Sequence, residues 1–208
     1  MTKRVITISR AFGSGGRTIG KEVAKRLGIP YYDKELVDKV AEESGFHADF
    51  IEEAGEYAPV TNSFLFNIAV SPNPMAMMNH MSMADQLFVC QTNVIRKLAD
   101  EGPCVIIGRC ADYILQDDPD LISLFITAPF KARVERIKRL HPEYPKENYE
   151  THAELVRKTD RIRSTYYNYH TDREWGNVRN YHLVVDATKL GVDGTVEMLA
   201  DYVKHAVG

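Results

Sequence analysis

The chain has 208 residues, of which 44% are hydrophobic and 26% charged, and its formal net charge at pH 7 is -3. This length suits one compact domain, and the composition is typical of globular proteins rather than disordered ones. An acidic chain has no overall positive field, so a protein that coats DNA or RNA by neutralising its phosphates is not expected, and any anion site must be local.

The cysteines and the start of the chain disfavour further classes of protein. Cys90, Cys104 and Cys110 are odd in number and lack C-x-x-C spacing, which favours buried reduced thiols over a disulfide framework or a zinc site. The apolar run at residues 5–9 is too short for the core of a signal peptide or for a membrane span. We therefore expect a cytoplasmic protein that does not contact a membrane.

In chain order, the first predicted elements are a strand, a glycine loop and a helix. β-Branched residues at 5–8 predict the strand, a glycine cluster at 13–16 the loop, and apolar residues with helical spacing at 18–27 the helix. A glycine and a proline end this helix, and a short second strand is predicted at residues 31–32.

The middle of the chain is helical or irregular up to residue 102 and includes a predicted helix at about residues 83–99. Two prolines before this helix, Pro72 and Pro74, interrupt regular structure, and a methionine-rich segment follows them at residues 75–83. Methionine fills gaps in a core or against a partner helix, and it also forms adaptable surfaces. Both roles are open for this segment, which could also shape an acceptor pocket.

The second half of the chain alternates between strands and helices. Continuous apolar runs predict strands at residues 104–107 and 121–127, as in a parallel sheet that is buried on both faces. The alternation predicts an α/β fold with three layers, α/β/α, built on a doubly wound parallel sheet. The remaining predictions are a helix at 132–140, a polar, basic and tyrosine-rich stretch at 141–181, a strand at 182–185 and a last helix at about 192–203.

The loop Gly13-Ser-Gly-Gly16 has the composition of a phosphate-binding turn. Glycines allow positive φ and a close approach of the backbone to a ligand, and the N-terminus of the following helix adds partial positive charge. The loop departs from the pattern G-x-x-x-x-G-K-[ST], because Gly16 stands at the lysine position, Arg17 at the next position and Arg10 at the first glycine. A strand–helix turn without a ligand is the alternative interpretation.

A longer segment around this loop resembles the altered P-loop of the cytidylate-kinase-like family; it begins at Ser9 and reads SRAFGSGGRTIG. Similar segments follow in order over nearly the whole chain: YYDKEL from Tyr31, VIIGRCADY from Val105, YYNYHT from Tyr166, WG at Trp175 and VDATKLG from Val185.

The resemblance implies a P-loop nucleoside-monophosphate-kinase fold that binds ATP and Mg²⁺. It implies one domain over residues 1–208, with a helical acceptor-binding insertion at 34–102 and a lid at 141–181. The partners that it implies are a nucleoside triphosphate and a small acceptor.

The resemblance assigns nucleotide contacts to two segments. Backbone amides of the glycine loop and the Thr18 hydroxyl would hold the triphosphate, and the segment after the last strand would border the purine ring. Arg17 would stand in for the missing lysine, or it is an exposed residue that caps the helix. The implied nucleotide-binding residues are Gly13, Ser14, Gly15, Gly16, Arg17, Thr18, Thr188 and Lys189.

The resemblance also implies catalytic residues. Asp33 follows the second strand, where the related kinases carry an aspartate near the acceptor phosphate and Mg²⁺, and an N-cap role is equally open. Arg109 matches the Gly-Arg that grips the acceptor monophosphate. Arg161 and Arg163 match an Asp-x-x-Arg lid pattern, whose closure would exclude water and deliver charge. The implied catalytic set is Arg17, Asp33, Arg109, Arg161 and Arg163, with Asp33 as the metal ligand.

The surroundings of Arg109 differ from the pattern of cytidylate kinases. Those enzymes place aspartates on both sides of the Gly-Arg, whereas this chain has Ile107 and Cys110 there. Asp112 either compensates for them or bonds to a helix end. The aromatic residues at 166–175 either stack a base or pack the lid against the sheet.

Two functions compete at this point. The first is a kinase that moves the γ-phosphate of ATP to a small acceptor, with CMP as the first candidate. The second is a catalytically weak nucleotide-binding regulatory protein, which the missing lysine and aspartates favour. A protein that stacks DNA or RNA bases on the tyrosine-rich stretch is not expected from the acidic net charge. A homo-oligomer is one open option for the assembly.

Overall fold

The computed structural model describes residues 4–49, 51, 82–140 and 149–206. The methionine-rich segment up to residue 81 and the start of the predicted lid, residues 141–148, lie outside the described residues. The strands of the described part are β1 (Val5–Arg10), β2 (Tyr31–Tyr32), β3 (Cys104–Ile107), β4 (Leu121–Thr127) and β5 (Leu183–Asp186).

These strands form one parallel sheet in the order β2-β3-β1-β4-β5. Val5 of the central strand β1 lies beside Cys104 of β3 and Leu121 of β4. After β1 the chain forms β2 and β3 on one side and then crosses to β4 on the other. Open α/β sheets bind ligands at the carboxyl ends of the strands where the direction of winding changes, and here that point is the end of β1.

Helices cover both faces of the sheet. Ile8 of β1 packs with an apolar cluster on one face, and the other face carries a second cluster that includes Val40 and Ile95. The predicted three-layer α/β/α fold is therefore confirmed. The helices of the described part are α1 (Gly16–Leu27), α2 (Lys34–Ser44), α3 (Met83–Glu101), α4 (Ala111–Ile114), α5 (Phe130–Leu140), α6 (Tyr149–His170) and α7 (Gly191–His205), with a 3-10 turn at Val178–Asn180.

The first apolar core joins α1 and α7 to the sheet. Ile19, Val23 and Leu199 are buried in it together with Ile6 and Ile8. Each side chain of this size contributes about 1.5–3 kcal/mol when it leaves water. Because α1 is fixed on the sheet through these residues, its N-terminus and the glycine loop before it are held at the end of β1.

Two helices, α1 and α6, show instructive differences from the sequence prediction. The first begins at Gly16, two residues before the predicted start at residue 18, because the glycine loop turns into the helix without a spacer. The tyrosine-rich stretch contains α6, a helix of 22 residues. Its buried residues include His152 and Arg163, so its inner face is polar in part and apolar periodicity did not reveal it.

Candidate functional site

The glycine loop connects β1 to α1 at the carboxyl edge of the sheet. Gly13 and Gly15 have φ angles of 80° and 91°, which only glycine adopts readily, and Gly15 is the N-cap of α1. The Ser14 hydroxyl accepts a hydrogen bond from the Gly16 N–H at 3.3 Å. The loop thus places backbone amides at a helix N-terminus whose first turn has no acidic residue, which is the arrangement that binds anions.

The glycine loop is packed closely against α5. A Cβ at Gly13 would lie 2.8 Å from the carbonyl oxygen of Arg133 and 3.1 Å from the side chain of Ile137. A side chain at this position is therefore excluded by space as well as by φ. The predicted nucleotide residues Gly13 to Thr18 lie together in this loop and in the first turn of α1.

Arg17 and Asp33 form an ion pair between α1 and the end of β2. The Nε atom of Arg17 lies 2.5 Å from Oδ2 of Asp33, and its Nη2 donates to Oδ1 at 3.3 Å. The Tyr31 hydroxyl donates to the Arg17 carbonyl at 3.3 Å and lies 3.4 Å from the Asp33 carboxylate. Burial and the nearby Asp33 charge raise the pKa of Tyr31, so it is a neutral donor.

Asp33 occupies the N-cap position of α2, but its side chain makes no cap hydrogen bond and contacts Arg17 instead. Among the described residues, no group of three His, Cys, Asp or Glu side chains could hold a metal ion. Mg²⁺ commonly uses one or two carboxylates together with substrate phosphates and waters. A single buried carboxylate beside the glycine loop fits that mode of binding.

Arg109 lies two residues after the end of β3, in a strained turn. Gly108, Arg109 and Cys110 have φ angles of 65°, 56° and 57°, so three successive residues are left-handed. The conformation costs a non-glycine residue about 1–2 kcal/mol, and such strain persists where the surroundings hold it. The Arg109 side chain is buried, with 3% of the residue exposed.

Gln91 of α3 holds Arg109 in this turn. Its Oε1 accepts from Nη1 of Arg109 at 3.3 Å, and its Nε2 donates to the Arg109 carbonyl at 3.0 Å. The same Nε2 lies 3.0 Å from the Tyr166 hydroxyl on α6. The sequence analysis missed Gln91, although a polar residue in the apolar stripe with Leu87 and Val94 was a usable signal.

Arg133 of α5 ties the glycine loop to α6. Its Nη1 donates to the Phe12 carbonyl at 3.0 Å and pairs with Oδ2 of Asp160 at 2.5 Å. The other oxygen of Asp160 accepts from the Phe12 N–H at 2.7 Å. The sequence analysis did not predict Arg133, because only the sheet order brings α5 beside this loop.

Arg136, one turn further along α5, lies over the glycine loop. Its Nη2 is 3.4 Å from the Thr18 hydroxyl, and a Cβ at Gly15 would lie 3.4 Å from its guanidinium carbon. This guanidinium is only partly buried. Arg136 therefore presents a positive charge beside the backbone amides that face the predicted phosphate position.

The two predicted lid arginines lie in different places. Arg163 is buried, and its Nη1 donates to the Arg10 carbonyl at 3.1 Å while its guanidinium carbon lies 5.5 Å from the Phe12 ring centre. Arg161 is exposed on another side of α6. The structure thus brings Arg163, but not Arg161, to the base of the glycine loop.

Thr188 and Lys189 follow β5, the edge strand beyond β4. Both are exposed, and the Asp186 carboxylate accepts from the Thr188 N–H at 2.9 Å and from its hydroxyl at 2.6 Å. These hydrogen bonds lower the pKa of Asp186. The pair lies at the same edge of the sheet as the glycine loop, separated from β1 by β4.

Asp112, in the first turn of α4, links α6 to β1. Its Oδ2 accepts from the Tyr167 hydroxyl at 2.7 Å, and Oδ1 lies 3.5 Å from the Ser9 hydroxyl. Burial raises the pKa of this carboxyl to about 6, although the hydrogen bond from Tyr167 acts in the opposite direction.

Within the described part of the chain, every helix is too short or too polar to cross a membrane.

Solved structures share this fold. A protein of Eubacterium ventriosum described as uncharacterized is 27% identical, with a TM-score of 0.72 over 98% of this chain and 100% of that chain. The shikimate kinase of Bacteroides thetaiotaomicron is 14% identical, with a TM-score of 0.56 over 98% and 99% of the two chains. A sugar kinase of Janibacter is 13% identical, with a TM-score of 0.53 over 98% and 96%. Because the identities to the two kinases are so low, these likenesses show only that this chain shares their fold.

A comparison with curated proteins gave no match. The model of the cytidylate kinase-like family matches residues 5–189, which include the whole sheet and all of the site described above. The chain therefore belongs to the cytidylate kinase-like family.

Proposed function

We propose that the chain is an ATP-dependent phosphotransferase, which moves the γ-phosphate of ATP to a nucleoside monophosphate or another small acceptor. The placement of guanidinium groups around one glycine loop supports this proposal most strongly. Arg133, Arg136 and Arg163 come from two helices and contact Phe12, Thr18 and Arg10, which lie in the loop or flank it. Family membership and the kinase fold point to the same class of reaction.

Phosphotransfer suits such an arrangement because it asks a protein mainly for alignment and positive charge. An acceptor oxygen attacks the γ-phosphorus, the bond from that phosphorus to the β–γ bridging oxygen breaks, and ADP leaves. Mg²⁺, bound with ATP, would neutralise part of the phosphate charge. Preorganised donors at such a site are worth about a hundredfold to a thousandfold in rate each.

We assign the ATP phosphates to the glycine loop and to Thr18, with Arg136 and Arg163 as sources of charge from outside the loop. Asp33 would hold Mg²⁺ directly or through a bound water. Arg17 would leave its ion pair with Asp33 and turn toward the phosphates. Thr188 and Lys189 would border the purine. The exposed Arg161 would join the site only if α6 moved, and that movement is the proposed role of the lid, residues 141–181.

The acceptor would be an anion. Arg109 carries a buried charge at the carboxyl end of β3, and a buried cation favours an anionic ligand. A nucleoside monophosphate brings such an anion together with the oxygen that attacks, and CMP is the first candidate. The helices α2 and α3 belong to residues 34–102, the proposed acceptor-binding insertion. With ATP as a substrate, the expected compartment is the cytoplasm.

A nucleotide-binding regulatory protein is the second candidate, and the ion pair between Arg17 and Asp33 favours it. While the pair is closed, Asp33 is not available to a cation and Arg17 is not available to phosphates. If nucleotide binding left the pair closed, ATP would bind without transfer.

The test is ADP release from ATP and Mg²⁺ with a panel of nucleoside monophosphates and small hydroxyl compounds, beside the Arg17→Ala and Arg109→Ala variants. Arg139→Ala, an exposed change on α5, is the matched control. We expect release that depends on one acceptor, is lost in Arg109→Ala, is reduced in Arg17→Ala and persists in the control. Tight ATP binding without acceptor-dependent release would support the regulatory protein instead.

A further inference from the structure

Gly16 stands where a P-loop has its lysine, and it is glycine because of space rather than backbone conformation. Gly16 is the first residue of α1, and its φ angle is not positive. A Cβ at Gly16 would lie 2.6 Å from Cβ of Arg10, 3.2 Å from Cγ of Arg10 and 3.2 Å from Cβ of Ile126. A side chain at position 16 would therefore clash with the Cβ and Cγ atoms of Arg10.

Arg10 stands at another altered position, where the pattern has its first glycine. It is the last residue of the central strand β1, and 3% of it is exposed. Its stem therefore runs through the space that a lysine at position 16 would use. Glycine and the cationic residue have exchanged places between the two ends of the loop.

Arg10 ends the central strand β1 just before the glycine loop, at the carboxyl edge of the sheet where our proposal places the phosphates. The charges of Arg10 and Arg17 lower the pKa of Tyr31, against the larger effects of burial and of Asp33. The Tyr31 hydroxyl lies 3.4 Å from the Asp33 carboxylate. The Arg10 backbone is fixed as well, because its carbonyl accepts from Arg163.

We propose that Arg10 supplies the phosphate-binding cation that the P-loop lysine supplies elsewhere, so that Arg10 and Gly16 together replace the glycine and lysine of the standard pattern. The inference rests on the proposed function. A P-loop lysine reaches the β- and γ-phosphates as a point charge, whereas a guanidinium can bond two oxygens at once. Arg17, paired with Asp33, is then not the substitute for the lysine.

Three variants test the exchange: Arg10→Met, Arg17→Met and the double variant R10G/G16K, which restores the first glycine and the lysine of the standard pattern. Arg26→Met is the control, since Arg26 lies near the other end of α1 beside Glu197. Calorimetric titration with ATP and Mg²⁺ measures affinity without an acceptor, and acceptor-dependent ADP release measures turnover. The thermal midpoint of each variant shows whether it is folded.

We expect Arg10→Met to lose about 10- to 100-fold in ATP affinity and about a hundredfold or more in turnover. The double variant should recover both to within about threefold of the wild type. Loss in Arg17→Met alone, with Arg10→Met unchanged, would overturn the inference in favour of Arg17. A folded double variant that binds ATP no better than Arg10→Met would overturn it too.

Stability provides a second readout that needs no ligand. Gly16→Ala should lower the thermal midpoint in the wild-type background, because its Cβ would collide with Arg10, and should lower it less in an Arg10→Gly background, where only Ile126 remains close. Equal effects in both backgrounds would contradict the packing on which the exchange depends. If Arg10→Met does not fold, the double variant decides. Wild-type protein that binds no ATP refutes the proposed function itself, before any variant is compared.

Discussion

Gln91 bonds to both ends of Arg109: its amide oxygen accepts from the guanidinium, and its amide nitrogen donates to the Arg109 backbone carbonyl. Gln91 is completely buried, and the same amide nitrogen reaches Tyr166 on α6. One side chain of α3 therefore fixes the conformation of a strained arginine and connects it to the helix that carries Arg163.

Replacing Gln91 by leucine should weaken acceptor use. The change keeps most of the volume but leaves Arg109 without its orienting amide, so we expect KM for the acceptor to rise about 10-fold or more while KM for ATP stays within about twofold. Steady-state kinetics with each substrate varied in turn measure the two constants. Gln116→Leu, an exposed glutamine that accepts from Arg173, is the control. Equal rises in both KM values would mean that Gln91 has only a general structural role.

Asp33→Asn should raise the Mg²⁺ concentration that turnover requires by about 10-fold or more, because the carboxylate proposed to hold the metal loses its charge. The free energy of unfolding should change by less than about 1 kcal/mol, since the Arg17 partner is half exposed. Mg²⁺ titrations of the rate and urea unfolding measure these effects. Asp38→Asn on α2 controls for the lost charge, and an unchanged Mg²⁺ requirement in Asp33→Asn would refute the metal role.

Arg136→Ala should raise KM for ATP about 3- to 10-fold with little effect on KM for the acceptor, because this partly exposed guanidinium faces the glycine loop and not Arg109. Initial rates at varied ATP measure the change. Arg139→Ala, three residues along the same helix and exposed, should behave as the wild type. A selective rise in the acceptor KM would place the ATP phosphates elsewhere.

Asp112 should make stability fall as the pH rises from about 4 to 6. Burial raises the pKa of this carboxyl from 3.8 to about 6, so the folded protein holds the proton more tightly than the unfolded chain. The contribution is complete below the ordinary pKa and is lost as the pH passes the folded value. Between about pH 4 and 6, we expect the free energy of unfolding of the wild type to fall by roughly 2–3 kcal/mol relative to that of Asp112→Asn.

Urea unfolding of both proteins at several pH values between 4 and 7 measures this difference, in which the contributions of other groups cancel. Asp117→Asn, at an exposed aspartate in the turn after α4, controls for the loss of one negative charge. Parallel stability curves for the wild type and Asp112→Asn would show that Asp112 titrates alike in the folded and unfolded chains.

The sequence predicted the sheet well because its strands are short and apolar. Residues 104–107 and 121–127 were predicted with the observed bounds, since parallel strands buried on both faces leave a continuous apolar run. The start of α5 was placed two residues late, at 132 rather than 130. The helix α6 escaped prediction because buried polar side chains such as His152 and Arg163 interrupt its apolar face.

The site was predictable only where it is contiguous in the chain. The glycine loop and the Gly-Arg after β3 follow local patterns, and the resemblance to the family added Asp33 and the lid arginines. Contacts between distant elements were not predictable, because Gln91 meets Arg109, and Arg136 meets Thr18, only after the sheet has formed. The role of Arg10 depends on the packing of its stem against Gly16, which no local pattern encodes.

The most direct measurement is the fate of the γ-phosphate. ATP labelled with ¹⁸O at the γ-phosphate is incubated with the wild-type protein, Mg²⁺ and the acceptor panel, and the products are analysed by mass spectrometry. We predict one acceptor, with CMP as the first candidate, that gains the labelled phosphoryl group in proportion to the ADP formed. Label found only in ATP, or only in free phosphate, would contradict the transfer activity.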